Sequence, residues 1–213
     1  MRRPLRAILA CAFVAFVWCC GAGTARADQQ RDPELKALLQ KIIGTSDCFT
    51  DKFDSEVWYK SMEPRLARLV PTHEARIDIL NHVYCEAKRD PSMQLPPDLV
   101  LALIEVESRF DPWAVSPAGA VGLMQVMPFW PRELGVQNQL VRVAPNIRMG
   151  CEILRYYLRA ENHNWARALA RYNGSVGRRN YSDLVLGRWA RWTGADDLGA
   201  PPIHHSAVNP SRG

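Results

Sequence analysis

The sequence predicts an all-α fold, and three observations support that prediction. Apolar residues recur three and four positions apart in nearly every segment between residues 33 and 193. Prolines and capping residues stand where several of those segments begin. No run of alternating polarity is long enough to form a sheet.

The first 27 residues predict a signal peptide. A basic start is followed by an apolar run over residues 8–23, which is too short to span a bilayer comfortably. Ala25-Arg26-Ala27 then supplies a small-x-small cleavage signature. We expect export to the periplasm and no stable membrane insertion after cleavage, with a retained signal anchor as the alternative.

Most of the net positive charge of the chain lies in this predicted leader, residues 1–27. The formal net charge is +5, but residues 1–27 hold four arginines and no acidic residue, so the remainder is nearly neutral. No basic stripe with interleaved aromatic residues appears in the rest of the chain. The composition therefore argues against nucleic-acid binding.

Residues 28–94 predict a helical N-terminal extension that packs on the rest of the protein. Helices are expected over 33–43, 54–69 and 73–89, with starts at Asp32-Pro33 and Pro71-Thr72. Pro64 should kink or split the second of these helices, because proline cannot donate the helical hydrogen bond.

Residues 95–193 predict a second helical unit, which holds the candidate catalytic residues described below. Four further helices are expected there, over 97–107, 146–160, 164–172 and 180–193. Residues 194–213 are rich in Pro, Ser and Gly, which predicts a flexible tail.

The cysteines predict at most one disulfide and no metal site. Cys48, Cys85 and Cys151 remain after removal of the leader. Cys151 falls on an apolar helix face, which favours a Cys48–Cys85 bridge with a buried thiol, but a Cys48–Cys151 bridge stays open. Because no cysteines and histidines have ligand spacing, we expect neither a metal nor another cofactor.

Glu107 is the strongest catalytic candidate. Glu105 and Glu107 lie two positions apart and point to different faces of one predicted helix. Glu107 shares its face with Val100, Leu103 and Ile104, where its carboxylate must be neutralised, paired or used. A carboxylic acid with a raised pKa is what glycosidic cleavage requires, and a salt bridge with an arginine such as Arg109 is the alternative.

Three ordered sequence blocks resemble the soluble lytic transglycosylases, which are relatives of goose-type lysozyme. The blocks are Glu107-Ser108, the SPAGAVGLMQ run over residues 116–125, and the ARYNG run over residues 170–174. Asn146-Ile147 also matches the start of the family's intervening helix. The resemblance covers roughly residues 95–185 and implies a lysozyme-like helical domain with a substrate groove.

The resemblance also implies the reaction. Glu107 would act as general acid and base on the β-1,4 bond between N-acetylmuramic acid and N-acetylglucosamine in peptidoglycan strands. No second carboxylate is apparent as a nucleophile, and the family's chemistry instead uses the substrate N-acetyl group and closes a 1,6-anhydro ring.

The resemblance assigns the remaining candidate positions to substrate binding. Ser116 would lie near the N-acetyl group, Gly122 would let the backbone approach the glycan, and Met124 with Gln125 would line the cleft. The Tyr172 hydroxyl would contact the catalytic carboxylate, and Asn173 would fix that turn or contact the substrate. Taken singly, Met124 and Tyr172 could be core residues and the glycines turns. The full set of expected substrate-binding residues is Ser108, Ser116, Gly122, Met124, Gln125, Tyr172 and Asn173.

Two other functions stay open at this point. A goose-type muramidase would use the same acid but deliver water, and a non-catalytic peptidoglycan-binding assembly factor would keep the fold alone. The chain departs from the family pattern at Arg171, where a small residue is more common, and at the FWPR run over residues 129–132.

Overall fold

A computed structural model describes residues 52–194, together with Pro33. Within residues 52–194 the chain forms seven helices and no strand, apart from isolated bridges in the loop over residues 115–126. The all-α class is therefore confirmed. The helices are α1 Lys52–Leu66, α2 His73–Lys88, α3 Pro97–Ser108, α4 Phe129–Glu133, α5 Val143–Ala160, α6 Trp165–Asn173 and α7 Asn180–Thr193.

Six of these helices agree with the predicted segments to within a few residues. Helix α1 is not split at Pro64 but ends two residues later, at Leu66, as expected where a helical hydrogen bond is lost. Helix α4 was not predicted, because five residues are too few to show a helical period. The leader, the segment 33–43 beyond Pro33, Cys48 and the tail from residue 195 lie outside the described residues.

Helix α3 forms the centre of the core. Residues 99–104 are all buried, and the helix packs most extensively against α7 and also against α2. Helix α5 packs on α2 and α6, and α6 packs on α7. Because α3 is surrounded in this way, its C-terminal end is held on a rigid support. Within the described residues no helix is long and apolar enough to cross a membrane.

The chain reverses sharply just after α3. Arg109 and Phe110 both have left-handed backbones, with φ of 53° and 66°, and the Arg109 N–H donates to the Glu105 carbonyl at 3.1 Å. The Phe110 ring is buried against Trp192 with centroids 6.0 Å apart. This aromatic contact helps to hold two uncommon conformations, and it directs the following loop back over the end of α3.

Buried charges join α2 to α5. Glu86, only 1% exposed, pairs with Arg89 and, at 3.0 Å, with Arg148. Arg155 is fully buried, pairs with Glu152 at 3.1 Å and donates to backbone carbonyls that include that of Met93. Because each buried charge is paired or hydrogen-bonded, this network fixes the position of α5 without leaving an uncompensated ion.

The structure excludes one of the two cysteine pairings that the sequence left open. Cys151 is a free, buried thiol, and burial raises its pKa to about 12. Cys85 takes part in a disulfide, and its partner lies outside the described residues. A Cys48–Cys151 bridge is therefore excluded.

Candidate active site

The predicted sequence blocks meet at one pocket beside the C-terminal end of α3. Its volume is about 170 Å³, and it lies between α3, the loop over residues 114–127 and the end of α6. Five predicted site residues contribute to its wall. The lining consists of Glu107, Ser116, Ala120, Gln125, Val126, Met127, Ile153, Arg171, Tyr172, Asn173 and Gly174.

Glu107 stands half-buried in this pocket and accepts a hydrogen bond from a residue that the sequence did not indicate. The donor is the hydroxyl of Tyr181, in the first turn of α7, which bonds to Oε1 of Glu107. Burial, and then the negative charge of Glu107, raises the pKa of Tyr181 well above its ordinary value. The phenol therefore stays protonated and remains a donor to the carboxylate.

Tyr172 does not have the contact that was expected of it. Its hydroxyl donates to the Met124 carbonyl at 2.7 Å, whereas the hydroxyl that donates to Glu107 belongs to Tyr181. Tyr172 nevertheless lines the pocket, and burial together with the charge of Glu107 raises its pKa well above the ordinary value. Its phenol supports the pocket loop because it projects from α6 towards that loop's backbone.

Gln125 and Ser116 hold the pocket loop in a tight conformation. The Gln125 backbone is left-handed, with φ of 51°, and its Nε2 donates to the carbonyls of Ala114 at 3.1 Å and Gly122 at 3.0 Å. The Ser116 hydroxyl accepts from the Ala120 N–H at 3.0 Å. Both residues line the pocket, but these polar atoms are already engaged inside the loop.

Gly122 is not glycine for the reason that was expected, because a side chain here would point into the protein interior and not into the groove. A Cβ at this position would lie 2.2 Å from the Leu140 carbonyl oxygen and 2.5 Å from Nδ2 of Asn146. Its φ of +80° also favours glycine. Glycine is required here because the loop packs closely against α5 and the segment before it.

Met124 also lies in the core, which contradicts its expected place in the cleft lining. The side chain is fully buried, and a Cβ at Gly150 would come within 2.5 Å of its Sδ. The thioether that lines the pocket belongs to Met127. The loop turns between these two methionines, so residues three positions apart face opposite environments.

Two further side chains outside the loop, besides Tyr172, hold it in place. Asn146, fully buried on α5, accepts from the Met124 N–H at 2.7 Å and donates to the carbonyls of Val121 at 2.9 Å and Leu140 at 2.8 Å. The Ser108 hydroxyl bonds to the Leu123 carbonyl at 2.8 Å. Ser108 is absent from the pocket lining, and its hydroxyl positions the loop instead of facing the pocket as expected.

The unusual Arg171 is held by an acid at the edge of the pocket. Glu161 pairs with Arg171 and, at 2.5 Å, with Arg167. The hydrogen bond from Arg171 is the main cause that lowers the pKa of Glu161. This departure from the family pattern therefore adds a compensated cation beside the pocket.

The neighbouring acid on α3 has different partners. Glu105 accepts from Nη1 of Arg188 at 2.5 Å and from Nε1 of Trp192 at 2.8 Å. Glu105 therefore forms a structural ion pair that joins α3 to α7. Across the residues that the structure describes, no group of three or more His, Cys, Asp and Glu side chains could hold a metal ion.

Comparisons with known proteins point to one family. Residues 85–183 match the family described as Transglycosylase SLT domain. The chain is 59% identical over 34 residues to membrane-bound lytic murein transglycosylase C of Actinobacillus pleuropneumoniae serotype 5b (strain L20), covering 16% of this chain and 9% of that protein. It is 30% identical over 149 residues to membrane-bound lytic murein transglycosylase F of Vibrio cholerae serotype O1, covering 67% of this chain and 25% of that protein. The chain thus spans at most about a quarter of the length of these relatives.

One solved structure is also similar. It is an inactive mutant of the lytic transglycosylase Slt from Pseudomonas aeruginosa, with 22% sequence identity and a TM-score of 0.48. The similarity covers 72% of this chain and 30% of that one.

Proposed function

This chain carries a transglycosylase SLT domain at residues 85–183, and from that premise we propose that it is a peptidoglycan lytic transglycosylase. It cleaves the β-1,4 bond between N-acetylmuramic acid and N-acetylglucosamine and leaves 1,6-anhydro ends. The observation that carries this proposal is the position of Glu107, in a pocket and beside the hydroxyl of Tyr181.

The proposed mechanism needs one carboxyl group. Glu107 is the only acidic residue among the described residues that line the pocket. Retaining hydrolysis with a carboxylate nucleophile requires a second carboxyl group about 5 Å away. An intramolecular route instead uses the acetamido group of the substrate to assist departure and its C6 hydroxyl as the final nucleophile.

Glu107 alone accounts for both proton transfers of the proposed reaction. The protonated acid gives its proton to the departing glycosidic oxygen, which leaves on the N-acetylglucosamine side. The resulting carboxylate then accepts the proton of the C6 hydroxyl as that oxygen bonds to the anomeric carbon. Tyr181 acts as a positioning residue, because its hydrogen bond holds the carboxyl group towards the pocket.

The other pocket residues have proposed contacts with the sugars. Ser116 and Asn173 supply polar atoms at the pocket wall, and Met127 supplies the thioether surface first expected of Met124. Gln125 contributes the amide oxygen, since its amide nitrogen is engaged within the loop. Ser108 and Gly122 act indirectly, through the position of that loop.

The site of action follows from the proposed substrate. We propose that residues 1–27 direct export to the periplasm and are removed there. We also propose that residues 28–94 form an extension on the catalytic domain and that residues 194–213 form a tail. The family match begins at residue 85, within the proposed extension, so α2 contributes to both units.

The test is digestion of purified peptidoglycan by the exported chain and by its Glu107→Gln variant, with products identified by mass spectrometry. Anhydro products, one water lighter than hydrolysis gives and made by wild type alone, are the expected result. Hydrated reducing ends would instead make the protein a muramidase. Binding to peptidoglycan without products from either protein would assign an assembly role.

A further inference from the structure

A second cavity lies on the other side of α3 from the Glu107 pocket. Its volume is about 660 Å³, and residues of α1, α3 and α7 with their following turns form its wall. We call it the arginine cavity, because four arginines and a single acid line it. The lining is Arg65, Arg68, Leu69, Glu105, Arg188, Arg191, Trp192 and Gly194.

The acid in this cavity is already engaged. Glu105 is held by Arg188 at 2.5 Å and by the Trp192 indole at 2.8 Å. Arg65 donates to the carbonyls of Arg191 and Trp192 at 3.0 Å each, which fixes the end of α7 against α1. The geometry of the cavity is therefore set by contacts that need no ligand.

Two of the cations remain available. Within residues 56–194 the side chains of Arg68 and Arg191 form neither a hydrogen bond nor an ion pair, and both residues are exposed. Nε of Arg188 is buried and has no hydrogen-bond partner among the described residues. A buried donor without a partner costs free energy that an oxygen of a ligand would recover.

We propose that the arginine cavity binds an acidic segment of a partner protein. Guanidinium groups match carboxylates in a planar, two-point geometry, and the volume falls in the usual range of about 300–1,000 Å³ for binding pockets. The free cations stand on separate elements, after α1 and at the end of α7, which suits a chain with several carboxylates better than a single ion. Leu69 and Trp192 add apolar surface for the stems of its side chains.

The experiment measures binding of a fluorescein-labelled oligo-glutamate to the exported full chain by fluorescence anisotropy. We expect binding that weakens as salt is raised, because exposed charge pairs are screened. The combined substitution Arg68→Glu with Arg191→Glu should weaken binding at least about tenfold, since each adds a like charge at the contact. This readout does not depend on peptidoglycan cleavage, so it can fail or succeed independently of the proposed function.

A matched control carries the same change in charge elsewhere. Arg132 and Arg178 are exposed, lie outside the cavity, and their replacement by Glu should leave binding in place. No binding to wild type, or an equal loss in this control, would overturn the proposal. Binding that appears only after Asp196→Asn with Asp197→Asn would assign the cavity to the chain's own C-terminal residues. Direct binding of labelled peptidoglycan peptides that the Arg68→Glu and Arg191→Glu substitutions abolish, without oligo-glutamate binding, would assign it to the cell wall. Either result would remove the protein partner.

Discussion

The two sides of α3 place similar acids in opposite chemical situations. Glu107 faces a pocket and accepts a hydrogen bond from a neutral phenol, Tyr181, whereas Glu105 faces Arg188 and an indole N–H. All of these partners stand on α7, the helix that packs most extensively against α3. One helix pair therefore determines the environment of both acids.

The comparison teaches how a protein keeps one carboxyl group available for proton transfer. A guanidinium pair stabilises the charged form and opposes protonation. A phenol fixes the position of a carboxyl group without supplying a positive charge. Glu107, which faces the pocket and the Tyr181 phenol, is the acid that the proposed mechanism uses, whereas Glu105 links α3 to α7 through Arg188 and Trp192.

The largest expected effect is the loss of cleavage when the acid on the pocket side of α3 is replaced. Glu107→Gln should lower the release of anhydro products by about a hundredfold to ten-thousandfold, because a general acid contributes about 10²–10⁴ to the rate. The free energy of unfolding should stay the same or rise, since a partly desolvated ionisable group is removed. Product analysis and thermal melting measure the two effects. A large fall in melting temperature would instead give Glu107 a structural role.

A substitution on α5 tests how the loop that forms the pocket wall is held in place. Asn146→Ala should lower the free energy of unfolding by about 3 kcal/mol, because three buried backbone groups lose their hydrogen bonds. Activity should fall as well, since the loop carrying Gln125 moves. Urea unfolding and cleavage assays measure this, with exposed Asn180→Ala as the control. Full stability in Asn146→Ala would contradict the supporting role.

The equivalent substitution on the other side of α3 should have the opposite effects to Glu107→Gln: stability should fall and activity should remain. Glu105→Gln should cost about 2 kcal/mol of stability, because partly buried Arg188 loses the charge of its partner. Most of the activity should remain, since the carboxyl group in the pocket is untouched. Urea unfolding measures the stability, and the cleavage assay measures the activity. Loss of activity with unchanged stability would show that the two sides do not divide their roles in this way.

Removal of the phenol sharpens the comparison further. Tyr181→Phe should lower activity about tenfold, since one hydrogen bond to an ionisable group is worth about 1.5 kcal/mol. Tyr172→Phe is the matched control, because its hydroxyl bonds to the loop backbone and its loss should reduce stability more than it reorients Glu107. The pH profile of cleavage should shift with Tyr181→Phe alone. Identical profiles for both variants would remove the positioning role of Tyr181.

The smallest effect concerns alkaline pH. Burial raises the pKa of Tyr172 and Tyr181 well above the ordinary tyrosine value of 10.0, so the folded state keeps both protons where the unfolded chain loses them. Their stabilisation is therefore complete below pH 10.0 and is lost as the pH rises above that value, by up to about 1.4 kcal/mol per phenol per pH unit. Urea unfolding on both sides of pH 10.0 measures the slope. Replacing both residues by Phe should flatten it, and an unchanged slope would count against burial as its cause.

The fold was largely predictable from the sequence, and the site only in part. The helical segments carry their own signals, such as the apolar period of α3 and Pro97 at its start. The pocket does bring Glu107 together with Gln125 and Tyr172. Short α4 gave no period to recognise, and the direction of side chains in the loop over residues 114–127 depends on turns that a period does not describe.

The expectations for Gly122 and Met124 failed for a common reason. Each was placed in the cleft because its sequence block was, but the loop alternates between the pocket and α5 within a few residues. Hydrogen bonds from distant side chains, such as Asn146, which lies 22 residues after Met124, help to decide which side of the loop is buried. Side-chain direction in an irregular loop is a property of what packs against it.

The sequence by itself determined the all-α class, the helix that carries Glu107 and the separation of the two acids onto different faces, because periodicity is a local property of the chain. The tertiary structure decided which partner each acid received. Tyr181 is 74 positions from Glu107 and Arg188 is 83 positions from Glu105, so only the packing of α7 on α3 brings them within hydrogen-bonding distance. The same packing turned an expected Tyr172 contact into one from Tyr181, because the register between two helices is set by their whole interface.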